Sequence, residues 1–113
     1  MSKLSEAEIQ AELAGVPEWS ELNGAIQRTV QFPDFVAAMK FVDHVAQAAE
    51  KDQHHPDILI RYNKVTLTLS THDAGGITAK DFALAKKADA LVAATAHIPS
   101  TKAGGAGKGK KKG

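Results

Sequence analysis

The chain has 113 residues, 14 of them basic and 13 acidic, and no cysteine, which excludes disulfide frameworks, thiolate zinc sites and cysteine nucleophiles together. That length implies one domain near the lower limit for a core without cross-links, so self-association is expected. No apolar run approaches the ~20 residues needed to span a bilayer, and "MSKLSEAEIQ" lacks a signal peptide's apolar centre, so a soluble, cytoplasmic protein is the expectation.

The net charge of +1 conceals an asymmetry. Residues 101–113, "TKAGGAGKGKKKG", hold five of the fourteen basic residues and five of the nine glycines, with no acid. We read them as a disordered, solubilising tail on a domain of residues 1–100, with contact to an anionic partner or surface as the alternative. The remainder carries nine basic and thirteen acidic residues, about −4, so direct nucleic-acid binding by the folded body is not expected.

"SEAEIQAELAG" opens with a capping box, Ser5 and Glu8, carries Ile9, Leu13 and Val16 at helical spacing, and stops at Gly15. Next, "EWSEL" and "AIQRTVQF" flank Asn23-Gly24, the dipeptide of a tight hairpin. In the second arm Ile26, Val30 and Phe32 share a face that Arg28 interrupts. From Asp34 to about Lys51 the period becomes 3.6, with Phe35, Met39, Val42, Val45, Ala46 and Ala49 as the predicted buried stripe. Pro33 suits the entry of this helix, and Pro56 ends it by Gln53 to His55.

"DILIRY" and "KVTLTLST" form a second predicted hairpin around Asn63-Lys64. Val65, Leu67 and Leu69 take one face, and Thr66, Thr68 and Ser70 the other, with His72 in register if the strand lasts that far. "TAKDFALAKKADALVAATAH" is a last helix opened by Thr78, with Asp81 in the capping position and Phe82, Ala85, Ala88, Leu91, Val92 and Ala96 facing inward. The order αββαββα implies a two-layer α+β domain, a four-stranded antiparallel sheet with three helices on one face.

"EKDQHHPD", Glu50 to Asp57, carries the densest chemistry. His54 and His55 are adjacent in extended backbone, so their rings are expected to diverge, and no pair among His44, His54, His55, His72 and His97 has the i, i+2 or i, i+4 spacing of a chelate, which leaves a metal only to three-dimensional convergence of distant residues. Ser70 and Thr71 beside His72 lie in a strand pattern, not in a strained nucleophile turn, and "DAGG" lacks the spacing of a phosphate loop. Proton transfer by imidazole remains, since its ordinary pKa of about 6.5 allows both donation and acceptance near neutrality. The hairpin Asp57 to Thr71 returns on itself, so residues before its first strand and after its second are spatial neighbours. A cluster of His54, His55 and His72 follows.

These residues resemble the pterin-4a-carbinolamine dehydratase family. The resemblance rests on "EKDQHHPD" with "RYNKVTLTLSTHDAGGITAKDFALA", extends to Trp19 and to "IQRTVQFPDF" with Arg28, and spans roughly residues 15 to 95. It implies the dehydration of a 4a-hydroxytetrahydropterin to quinonoid dihydropterin, which recycles the tetrahydropterin used by aromatic amino-acid hydroxylases. It also implies no metal or redox cofactor, and a homodimer or homotetramer. The implied catalytic residues are His54, His55 and His72, with Glu50 one turn earlier holding an imidazole in its useful tautomer. Gln53, Ser70 and Thr71 match positions that line the pterin site, where backbone groups read the pterin's amide-like edge. Asp81 is read as a helix cap, Trp19 as a packing residue, Arg28 as an ion pair or interface contact, and His44 and His97 as ordinary helix residues. Some animal members of the family also act as dimerisation cofactors of a homeodomain transcription factor, so a noncatalytic protein-binding role is the alternative expectation.

Overall fold

The computed structural model describes residues 3–96, the side chain of Ala96 apart. His97, the predicted boundary at residue 100 and the Gly/Lys-rich tail lie outside the described residues.

Helix α1, Glu6–Leu13, is preceded by β/extended Ser5, and the capping box forms in both directions: Ser5 N–H donates to Glu8 Oε1 at 2.8 Å and Glu8 N–H to Ser5 Oγ at 3.2 Å. Strands β1, Ser20–Leu22, and β2, Ala25–Gln31, follow, joined by Asn23 and Gly24 at φ 52° and 78°. Both central residues occupy the left-handed region such a turn demands, which is why Asn-Gly marks it. Helix α2 is Phe35–Asp52, strand β3 Asp57–Arg61, strand β4 Lys64–Leu69 and helix α3 Ala79–Ala96. The strands form one antiparallel sheet in the order β1-β2-β4-β3. The expected two-layer α+β architecture is present.

The sheet's inner face supplies Ile26, Val30, Val65, Leu67 and Leu69, all buried, against Phe41 and Val45 of α2 and Phe82, Leu84 and Ala85 of α3. Phe32 and Phe41 bring their rings to 5.0 Å. Arg28, facing Leu67 across the ladder, is accommodated on this apolar side by one carboxylate: Asp89 of α3 accepts from its guanidinium at 2.6 Å and from the buried Trp19 indole N–H at 2.8 Å. On the outer face, Thr66 and Thr29 share a hydroxyl hydrogen bond at 2.7 Å and Gln27 donates to Thr68 at 3.2 Å, so the threonine row pairs with β2.

Three local expectations are corrected. On α2 the face against the sheet is Ala38, Phe41, Val45 and Ala49, while Phe35 and Met39 are 46% and 37% exposed, and Ala46 is exposed. The helix carries two apolar stripes, and periodicity alone does not choose between them. The second hairpin turns at Tyr62-Asn63, one residue early, because Lys64 already pairs with Arg61. Tyr62 takes φ 53° there, and Asn63 is anchored to the end of β2: its Nδ2 donates to Phe32 O, and its carbonyl accepts from Phe32 N–H, each at 2.8 Å. Finally, β4 stops at Leu69, and His72 opens a 3₁₀ turn, His72–Ala74, closed by Gly75 at φ 77°. The reason is local: Thr71 pairs with Gly76 in an isolated bridge and turns the chain out of the ladder.

Candidate active site

Helix α2 ends at Asp52, and Gln53 adopts φ 54°, ψ 39°. This left-handed residue reverses the chain, so the two histidines beyond it leave in different directions. His54 turns inward. It is 9% exposed, and its Nε2 meets Asp81 Oδ1 at 2.5 Å. His55 stays at the surface, its Nε2 2.5 Å from Glu50 Oε2.

Asp81 is fully buried, and its surroundings are built from donors. Oδ2 accepts from Thr78 N–H at 2.9 Å and from the Thr71 hydroxyl at 3.0 Å. The Thr71 and Thr78 hydroxyls are 2.7 Å apart, and Thr78 Oγ1 accepts from Lys80 N–H at 3.3 Å. With Thr71 donating to the carboxylate, Thr78 donates to Thr71, and every polar atom in the chain has a partner. A carboxylate can only accept, so in this pair His54 Nε2 is the donor and carries hydrogen, and Nδ1 is the ring nitrogen turned away from Asp81. Asp81 therefore caps α3, as expected, and also orients His54. The second role escaped sequence reading because its partner lies 27 residues away and no local spacing marks it.

The sheet register brings His72 to the same end. Asp57, at the start of β3, pairs with Thr68 near the end of β4, so the segments that carry His54–His55 and His72 leave the sheet at the same end. His72 directly follows Thr71, whose hydroxyl touches the carboxylate that holds His54. His72 itself is exposed. The residues expected to read the substrate divide. Thr71 has its N–H on Gly76 O, its carbonyl accepting from Ala74 and Gly76, and its hydroxyl on Asp81. Gln53 turns its amide Nε2 to Glu50 O at 3.0 Å. Ser70 lies exposed beyond the last ladder pair.

A cavity of about 300 Å³, lined by Asp52, His54, Lys80, Ala83 and Lys87, adjoins the buried imidazole. This is the low end of the range for small-molecule pockets. Lys87 closes one side through its bond to both oxygens of Asp52, each at 2.7 Å. His55 and His72 do not line this cavity.

Comparison with known proteins gives the chain a family. The chain matches, over residues 2–91, the family described as Pterin 4 alpha carbinolamine dehydratase. It is 56% identical over 92 residues to a Chloroflexus aurantiacus protein provisionally named pterin-4-alpha-carbinolamine dehydratase, covering 81% of this chain and 99% of that one. A Picosynechococcus protein of the same provisional name is 51% identical over 90 residues, covering 80% and 98%. Among solved structures, a Brucella melitensis transcriptional coactivator/pterin dehydratase superposes with a TM-score of 0.78 at 35% identity, covering 80% of this chain and 99% of that one. The chain belongs to the pterin-4-alpha-carbinolamine dehydratase family.

Proposed function

We propose that this protein is a hydro-lyase that dehydrates a 4a-hydroxytetrahydropterin by imidazole acid-base catalysis. The observation that carries the reading is the buried His54–Asp81 pair within a family member that also holds His55 and His72 at the same end of the sheet. The reaction breaks the C4a–O bond and removes the proton on N5, as the N5 lone pair forms the C4a=N5 double bond. It needs one acid for the departing hydroxyl and one base for the ring proton, each contributing about 10²- to 10⁴-fold in rate.

His54, as the imidazolium with Nε2–H on Asp81, gives its Nδ1 proton to the hydroxyl, which leaves as water, and becomes the neutral Nε2–H imidazole. His72 takes the proton from N5, and exchange with solvent returns both rings to their starting states. His55, held by Glu50, orients the pterin, and the backbone of Ser70 reads its amide-like edge. Thr71 supports the site from beneath through Asp81. No metal or redox cofactor enters this scheme, and the product returns to the tetrahydro form used by an aromatic amino-acid hydroxylase. The test is spectrophotometric: the transient 4a-hydroxypterin made by a hydroxylase should decay faster when this protein is added, and an unchanged decay would refute the assignment.

A second reading, a protein-binding role, is favoured by Phe35, Val36 and Met39 along the start of α2, exposed by 46%, 63% and 37%, and by the coactivator in the Brucella protein's description. We assign this stripe and the edge strands to self-association as a dimer or tetramer. Polar substitutions at Phe35 and Met39 should lower the mass measured by light scattering. Among the described residues no helix is long and apolar enough to cross a membrane.

A further inference from the structure

Among the described residues, three non-glycine residues have positive φ: Asn23, Gln53 and Tyr62. Asn23 sits in a turn that asks for asparagine. Gln53 sits at the end of α2, where helices commonly place glycine because a side chain in the left-handed region crowds its own backbone. Glutamine has no compensating preference for that region.

Its bonding shows what the conformation achieves. Gln53 N–H donates to Glu50 O at 3.3 Å, and His54 N–H reaches back to Ala49 O at 3.1 Å. This pair of bonds, spanning three and five residues, is the Schellman closure of a helix, and it exists only with a left-handed residue between the two amides. The side-chain amide also folds back, Nε2 onto Glu50 O. The donors of Gln53 all point into the helix end. Beyond it, His54 drops onto Asp81 and His55 swings back over Glu50, five positions earlier. In an extended or right-handed conformation at residue 53 the His54 amide would leave Ala49, and both rings would be carried away from their carboxylates.

We propose that Gln53 is a positioning residue that acts through its left-handed backbone and not through its amide, seating His54 on Asp81 and His55 on Glu50. Glycine should serve as well, and a β-branched residue should not. The kinetic part of this inference rests on the dehydratase reading, whereas the spectroscopic part does not.

The experiment compares Q53G, Q53N and Q53V in the full chain. Q53G and Q53N should keep kcat within about two-fold, whereas Q53V should lose about ten-fold or more in kcat with KM shifted less than about two-fold. In proton NMR the hydrogen on His54 Nε2, sheltered by burial against Asp81, should give a downfield signal that persists in Q53G and is lost or moved in Q53V. Should Q53V not fold, Q53A makes the same comparison, with a smaller loss in kcat and the same direction of change in the signal. A Q53G protein as impaired as Q53V, or one whose KM alone rises, would overturn the proposal in favour of an amide contact to substrate. An unmoved imidazole signal in the folded valine or alanine variant would overturn it as well. If the wild-type protein turns over no pterin, the dehydratase reading falls while the NMR comparison still decides the role of Gln53.

Discussion

Nε2 of His54 sits 2.5 Å from Oδ1 of Asp81, joining the exit of α2 to the first turn of α3 across 27 residues of chain. The carboxylate is fully buried and the imidazole nearly so, so the contact is screened little by solvent and its loss leaves an uncompensated acceptor in the interior. Under the proposed mechanism chemistry and folding share this pair, and the variants that probe it must separate the two.

Glutamine at position 54 can still place an N–H near Asp81 but cannot shuttle a proton. H54Q should fold with a melting temperature close to that of the parent, while turnover falls about 10²-fold or more. H54A should lose both. Near-parental turnover in H54Q would remove His54 from the mechanism.

The isosteric change D81N tests the orienting role. An amide still fills the space and can accept from Thr78 N–H, but it no longer enforces hydrogen on Nε2 of the imidazole. By analogy with other imidazoles deprived of their carboxylate, kcat should drop about 10²-fold or more with the fold intact. D81A should in addition lose about 0.5–2 kcal/mol from the missing cap alone, read by urea titration.

Asp89 offers the opposite case. It receives the buried Trp19 indole and the Arg28 guanidinium but has no part in the proposed proton transfers. D89A should cost about 1–3 kcal/mol in stability by orphaning the indole N–H, with kcat unchanged. A kinetic defect without a stability loss would place this network in the reaction.

The capping box of α1 predicts a pH effect. The carboxyl of Glu8 is held below its ordinary value, first by the backbone N–H of Ser5 and then by the Ser5 side chain. Because the folded value is the lower one, the contribution to stability is present above the unfolded value of about 4.3 and fades as pH falls through the folded value. Carbon-detected titration of Glu8 should give a midpoint below that of a free peptide. In S5A the midpoint should return only part of the way, since the Ser5 N–H remains.

Much of this was legible in sequence because the signals were local. Ser5 with Glu8, Asn23-Gly24 and the alternation of Val65, Leu67 and Leu69 each lie within a few residues, and each element formed where expected. What was misread depended on distant partners. Phe35 and Met39 have the right spacing for the core, but the sheet selects the neighbouring stripe through Phe41. Tyr62 in a left-handed turn runs against steric preference, so propensity placed the reversal one residue late. Of the candidate site, His54, His55 and His72 stand out in the sequence by type and motif, and of the three only His54 lines the cavity. Asp81 was read only as a cap, since nothing near it in the chain indicates that its other oxygen meets an imidazole.

The connection from Thr71 to Thr78 is tied at both ends, by the bridge of Thr71 to Gly76 and by the contact between the two threonine hydroxyls. It acts as a spacer of fixed length. An insertion there would leave sheet and helix each able to form, yet would let α3 carry its carboxylate out of step with the end of β4. Under the proposed mechanism, a change of length in this segment would keep the shape of the domain while uncoupling the carboxylate from its imidazole.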